Sequence, residues 1–148
     1  MKKYLHEVLA EVHETTGAAN KSKLLRLHNS LGLRDFLKGS FDDTIQWSIP
    51  KGEVPYTPFY LENEEKMVPI NLDKLSSQLA NFVVGERTSM TPIMKEAAFI
   101  SMLEKIHPLD AEYLVLMKDK KMAGVVKGLT VKVITAEFPH LIASKDLL

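Results

Sequence analysis

Apolar residues recur at intervals of three and four along most of this chain, and that spacing predicts helices rather than strands. The clearest case is the set Leu5, Val8, Leu9 and Val12, which Gly17 follows as a break. These residues predict an amphipathic first helix over about residues 3–16. Because similar patterns follow, we expect an all-α fold of about seven or eight short helices.

Capping residues set the expected ends of the other helices. Asn20, Ser30, Asn71 and Thr91 are candidate N-caps, and Pro92 suits the first position of a helix. We expect Gly39 to end the third helix and Pro139 to end the last one. Between them, Asp42 or Asp43 should start a brief helical turn that contains Ile45, Trp47 and Ile49. The predicted helices cover residues 20–28, 30–39, 71–85, 91–105, 109–118 and 130–137. In the helix after Thr91 the spacing directs four residues inward: Ile93, Ala97, Ile100 and Leu103.

Prolines interrupt the helical pattern in the middle of the chain, at positions 50, 55, 58 and 69. Proline removes a backbone donor and fixes φ, so we expect a loop or a pair of short strands over residues 44–68. Three aromatic residues in this segment, Tyr56, Phe59 and Tyr60, either pack on the core or form a contact surface. We expect core packing, because a long loop in a compact domain is usually held by its own side chains.

Composition favours one globular domain over residues 1–148, with 45% apolar and 26% charged residues. The chain has no cysteine, which excludes disulfides, thiolate zinc sites and a catalytic thiol and fits a reducing compartment, with the cytoplasm as the expectation. No apolar run approaches the ~20 residues that span a bilayer, and His6 and Glu7 interrupt the start where a signal peptide needs an apolar run. We therefore expect a chain that is neither secreted nor membrane-spanning. The expected core residues are Leu9, Leu25, Phe36, Trp47, Leu79, Phe82, Ile100, Leu103, Leu116, Ile134 and Phe138.

No catalytic motif stands out. The five histidines lack the i, i+4 spacing that places two imidazoles on one helix face, and carboxylate pairs such as Asp42 with Asp43 lie in polar surroundings. The chain also lacks a phosphate-binding loop, a dinucleotide fingerprint and a nucleophile elbow. We therefore expect no catalytic residues, no metal and no cofactor.

Charge is unevenly distributed although the net charge is zero. Residues 41–65 hold one basic and six acidic residues, whereas both ends of the chain are basic. Lysines flank a glycine-containing loop and a predicted helix start at Thr130, where free N–H groups attract anions, although a solvated surface is the alternative. The candidate phosphate-binding residues are Lys118, Lys120, Lys121, Lys127, Gly128, Thr130 and Lys132, with Lys21, Lys23 and Arg26 as a second patch.

From Tyr4 to about Ser144 the chain resembles the N-terminal α-helical DNA-binding domain of ATP-dependent DNA ligases of the tailed-phage type. The similarity is strongest near the end, in a basic helix end, a Gly-centred loop, a short helix and an aromatic-Pro-x-Leu-Ile exit. The segments that carry it are 21–29, 33–37, 41–51, 114–121, 127–134 and 137–142. Segments 107–111 and 117–121 also resemble small uncharacterised phage proteins.

The resemblance implies a module that contacts the backbone and minor groove of double-stranded DNA in the host cytoplasm. In a ligase, a Lys-x-Asp-Gly lysine in the following nucleotidyltransferase domain takes the AMP, but here Lys118 and Asp119 are followed by Lys120. The sequence ends about where that domain would start, so we expect no ligase activity and no enzyme. The alternative is a phage factor that contacts a host or replisome protein through the acidic segment 53–65.

Overall fold

The computed structural model describes residues 3–86 and 88–143, and over these residues the fold is all-α. The α-helices are α1 (Leu5–Glu14), α2 (Ala18–Leu27), α3 (Leu31–Phe41), α4 (Pro92–Lys105), α5 (Pro108–Lys118) and α6 (Val131–Glu137). Two 3₁₀-helices, Leu72–Lys74 and Ser76–Phe82, lie between α3 and α4. The described residues form no β-strand, and one isolated antiparallel bridge joins Trp47 to Val83. The all-α prediction is confirmed.

Side-chain caps begin several helices where the sequence predicts them. Ser30, Thr91 and Thr130 each accept a hydrogen bond from the backbone N–H three residues ahead, which satisfies a donor that the helix itself leaves free. The N-cap prediction for Asn20 is wrong, because α2 starts at Ala18 and Asn20 lies in its first turn. Gly17 makes that turn with a φ of +94°, which suits glycine.

The prediction that α3 ends at Gly39 is wrong, because the glycine at this position allows close packing and does not end the helix. The ring of Trp47 lies so near that a Cβ on Gly39 would sit 2.5 Å from Trp47 Cζ2. The helix runs on to Phe41, and buried Asp42 ends it in place of the predicted helical turn. From there the chain passes through a turn to the bridge at Trp47.

Asp42 gathers hydrogen bonds from three parts of the chain. Lys38 Nζ donates to Oδ2 at 2.6 Å, Thr44 donates to Oδ1 through both its backbone N–H and its hydroxyl, and Ala143 N–H donates to Oδ2 at 3.0 Å. Burial alone would raise the pKa of Asp42, but these donors outweigh it and hold that pKa well below its usual range. The charged carboxylate therefore ties the end of α3 to the end of the described chain.

The segment after Asn71 also departs from the prediction. Asn71 caps it, accepting from Asp73 N–H, but the helix is 3₁₀ and broken at Leu75 rather than continuous to Gly85. In α4 the buried face contains Phe99, Met102 and Leu103. Two residues predicted to point inward, Ile93 and Ala97, are instead exposed, and Ile93 keeps 81% of its surface in solvent.

The buried apolar residues form one cluster around α5. Of the predicted core, Leu9, Leu25, Phe36, Leu79, Phe82, Leu103 and Ile134 are buried, whereas Trp47, Ile100, Leu116 and Phe138 are partly buried. Helix α2 packs on α6, and α5 packs on α1, α3 and α4. None of the helices in the described residues is long and apolar enough to span a membrane.

The proline-rich segment 44–68 contains no strand, and its aromatic residues divide between core and surface. Tyr56 packs against the core, Phe59 is half-buried, and Tyr60 is 68% exposed. The expected core packing therefore holds for Tyr56 and is wrong for Tyr60.

Candidate functional site

Lys118, at the end of α5, lies inside the protein with only 2% of its surface exposed. Its Nζ donates to the carbonyl oxygens of Pro50 at 2.7 Å and Gly52 at 3.1 Å, and to Asp119 Oδ1 at 2.6 Å. The Asp119 carboxylate in turn accepts a hydrogen bond from Gly52 N–H. Lys118 thus attaches the proline-rich segment to α5 and offers no exposed ammonium to a phosphate.

Lys120 is half-buried and also points toward the fold. Its Nζ donates to the carbonyl oxygens of Gly39 at 2.6 Å and Asp42 at 3.0 Å, at the C-terminal end of α3. Burial lowers the pKa of Lys120, although the charges of Asp42 and Asp43 oppose that change. The backbone of Lys120 has a φ of +57°, which turns the chain sharply after α5.

Lys121, Lys127 and Lys132 are exposed, and they surround the loop between α5 and α6. Lys127 N–H donates to His13 Nδ1 at 2.9 Å, so this loop lies against the end of α1. Thr130 Oγ1 accepts from Val133 N–H and serves as the N-cap of α6. Thr130 is also exposed, but its hydroxyl is engaged in the cap, whereas the lysines place charged groups in solvent.

Gly128 and Lys21 have a joint structural role. Lys21 is buried on α2, and its Nζ donates to Val12 O at 2.5 Å beside the end of α1. Its aliphatic stem passes under Gly128, where an added Cβ would lie 2.5 Å from Lys21 Cε. Gly128 also has a φ of +74°, so both the backbone and the available space favour glycine.

The packing of α2 on α6 brings the two predicted basic patches side by side. Ser22 donates to Val133 O at 2.9 Å, and Arg26 Nε pairs with Glu137 Oε2 at 3.0 Å, across 111 residues of sequence in each case. Lys23 is exposed on α2. Neither residues 17–27 nor residues 120–136 include an aspartate or glutamate.

The ten predicted site residues therefore fall into two groups. Six make contacts within the fold: Lys118 and Lys21 are buried, Lys120 is half-buried, and Arg26, Gly128 and Thr130 are exposed but engaged in an ion pair, close packing and a helix cap respectively. Lys23, Lys121, Lys127 and Lys132 are exposed. We call these four residues the basic surface.

A buried polar cluster between α1 and α5 was not predicted. Asp110 is fully buried, and its Oδ1 lies 2.8 Å from both His6 N and His6 Nδ1. The His6 ring stacks on that of His107 at 4.0 Å, and His107 Nδ1 accepts from Leu109 N–H as the N-cap of α5. Burial, with the neighbouring His6 charge, lowers the pKa of His107 and favours the neutral ring that this cap requires.

The sequence does not predict this cluster, because His6 and Asp110 lie 104 residues apart and no local spacing links them. Its hydrogen bonds attach the first turn of α1 to the first turn of α5. Across residues 3–86 and 88–143, no group of three histidine, aspartate or glutamate side chains is arranged to hold a metal ion.

The structure is an all-α domain in which the basic surface and the acidic segment 53–65 lie on different parts of the chain. The chain belongs to a family of unknown function, DUF6433, whose model matches residues 8–124. The match includes the acidic segment and the end of α5 and stops before Lys127. The chain matches no curated protein and no solved structure.

Proposed function

We propose that this protein is a non-catalytic module that binds the backbone of double-stranded DNA through the basic surface. The supporting observation is the packing of α2 on α6, which brings together two segments that contain lysines and no acidic residue. Lys23 lies exposed on the first of these segments, residues 17–27, and Lys121, Lys127 and Lys132 lie exposed on the second, residues 120–136. Exposed ammonium groups bind phosphate without a requirement for base sequence.

The resemblance to ligase DNA-binding domains supports the same function and adds the minor groove as the expected contact. From that resemblance we also propose a role in the DNA metabolism of a phage, in the host cytoplasm. We propose no cofactor and no enzymatic step. Incubation with radiolabelled ATP and nicked duplex should give neither adenylated protein nor sealed DNA, and adenylation of any lysine would overturn this part of the proposal.

Four lysines set the expected strength of binding. Each neutralised phosphate contributes about 0.9 to the slope of log K against log salt, so four contacts predict a slope of about −3.6. Affinity should therefore be modest, sensitive to salt and similar on all duplex sequences. Tight binding that persists in high salt would contradict a surface of this size.

The decisive variant is the double change Lys127→Ala and Lys132→Ala, measured by fluorescence anisotropy on several duplexes over a range of salt. Binding should weaken equally on every sequence, and the slope should become shallower by up to about 2. The matched control changes two exposed lysines of other elements, Lys74→Ala and Lys105→Ala, and should leave the slope unchanged.

Two further results bear on this proposal. Changing Glu62, Glu64 and Glu65 to glutamine should leave DNA binding unchanged or slightly stronger, because negative charge near DNA opposes binding. If the unaltered protein binds no duplex at low salt, DNA binding is wrong and these lysines are a solvated surface.

A further inference from the structure

Residues 60–68, which we call the acidic tip, expose large apolar side chains. Tyr60 is 68% exposed, Leu61 50%, Met67 59% and Val68 73%. A soluble protein usually buries such side chains, and an exposed cluster of them indicates a surface that another molecule covers. Four of them within nine residues therefore separate this tip from the scattered apolar residues found on every protein surface.

The tip also has a defined shape. Asn63 Nδ2 donates to Tyr60 O at 2.8 Å and to Met67 O at 3.0 Å, while Asn63 Oδ1 accepts from Met67 N–H at 2.8 Å. Lys66 adopts a φ of +53° and completes the turn with a hydrogen bond from its N–H to Asn63 O. One central side chain thus holds the two sides of the tip together in a closed turn.

The segments on either side of the tip are fixed to the helical core. On one side, Thr57 N–H donates to Glu104 Oε2 at 2.7 Å. On the other, the Tyr4 hydroxyl donates to Pro69 O at 2.9 Å, and Ile70 N–H donates to Lys105 O at 2.9 Å. Because the loop is already ordered, binding through it costs less conformational entropy than binding through a flexible segment.

Charge indicates which partner the tip fits. Glu62, Glu64 and Glu65 are all exposed and lie between the apolar residues at the two ends of the tip, and Lys66 is the one basic residue within it. These carboxylates repel nucleic acid and anionic membranes and attract a basic rim. The chemistry is therefore complementary to an apolar cleft edged by lysine and arginine.

We infer that residues 60–68 form a docking site for a second protein, whose surface presents an apolar cleft with a basic rim. Tyr60, Leu61 and Met67 enter the cleft, and the three glutamates pair with the rim. Because the lysines contact DNA and the acidic tip contacts this partner, the protein links the partner to DNA. The inference does not depend on DNA binding, because the two surfaces share no residue.

The test uses a library of random peptides displayed on particles and selected on the immobilised full-length protein. Enriched peptides should combine an aromatic or aliphatic residue with neighbouring lysine or arginine. Changing Leu61 and Met67 together to serine should weaken their binding by about tenfold or more, the loss expected when central apolar contacts are removed. The matched control changes Val84 and Ile93 to serine; both are at least as exposed as Leu61 and Met67, and this variant should bind as the unaltered protein does.

Two variants separate the roles of charge and shape. Changing the three glutamates to glutamine should reduce affinity and remove most of its salt dependence, because rim charges act through screened attraction. Asn63→Ala leaves every apolar and charged side chain of the tip in place but removes three hydrogen bonds within it, and should still weaken binding several-fold.

Three outcomes would overturn the inference. They are the absence of any peptide above the background of an empty surface, enriched peptides without an excess of basic residues, and equal binding to the Leu61 and Met67 double variant. Sedimentation adds a fourth, since a dimer abolished by that variant would mean that a second copy of this chain occupies the site. DNA binding by the double variant should be unchanged, so failure of either proposal is seen separately.

Discussion

Replacing Lys118 with alanine tests whether this lysine supports the fold or binds a ligand. The ammonium group satisfies two backbone carbonyl oxygens and the Asp119 carboxylate in a site closed to solvent. Lys118→Ala removes all three hydrogen bonds and leaves a buried carboxylate without its counter-charge. Breaking a buried ion pair in this way costs about 3–5 kcal/mol, a large part of the ~5–15 kcal/mol that stabilises a typical domain.

Urea denaturation followed by circular dichroism measures this loss directly, and thermal melting should show a decrease of about 6–20 °C in Tm. The control is Lys121→Ala, three residues along the chain and exposed, which should change the free energy of unfolding by less than about 0.5 kcal/mol. If Lys118→Ala were as stable as the unaltered protein and instead made the salt slope of DNA binding shallower, our account of this lysine would be wrong.

Three other substitutions test separate parts of the fold. Gly128→Ala should destabilise the protein more than Gly124→Ala, because both glycines have positive φ but only Gly128 lies against Lys21; equal losses in urea denaturation would contradict that packing. Asp42→Asn should lower the free energy of unfolding at neutral pH. Because the pKa of Asp42 is depressed in the folded protein, the difference in unfolding free energy between variant and unaltered protein should narrow below about pH 4. A difference that is independent of pH would refute this. Leu103→Ala should cost about 2–5 kcal/mol, and a loss below 1 kcal/mol would contradict its complete burial.

Local chemistry was enough to predict most helix starts. Ser30, Thr91 and Thr130 each cap the helix that the sequence assigns to them, because capping depends on a side chain and a backbone N–H three residues away. The prediction that Gly39 ends its helix was wrong, because a glycine is needed there to make room for the ring of Trp47. That ring lies eight residues further along the chain, outside α3. A glycine required by packing cannot be distinguished in sequence from one required by φ.

The buried face of α4 shows a second limit of prediction from the sequence. Ile93, Ala97 and Ile100 have the same helical spacing as residues that face a core, yet Phe99, Met102 and Leu103 provide the buried side. Periodicity shows that a helix is amphipathic, but it cannot choose between two apolar stripes. That choice depends on which neighbours α4 meets in the folded chain.

The candidate site was only partly predictable for a related reason. The sequence identified the basic segments, but the acceptors that hold Lys118 and Lys120 are backbone oxygens 66 to 81 residues away. Backbone carbonyls leave no signature in sequence, so buried and exposed lysines look alike. The side chain that shapes the acidic tip, Asn63, was also missed because its partners are backbone groups.

The pairing of α2 with α6 cannot form until the ribosome has synthesised residue 137. Helix α2 is synthesised early, but Ser22 and Arg26 find their partners only when Val133 and Glu137 have emerged. Contacts so distant in sequence slow folding, because the intervening chain must be ordered before they can form. During that interval the apolar side of α2, including Leu25, is available to chaperones and to proteases. The supply of this protein in a cell should therefore depend on how quickly translation passes from α2 to the end of α6.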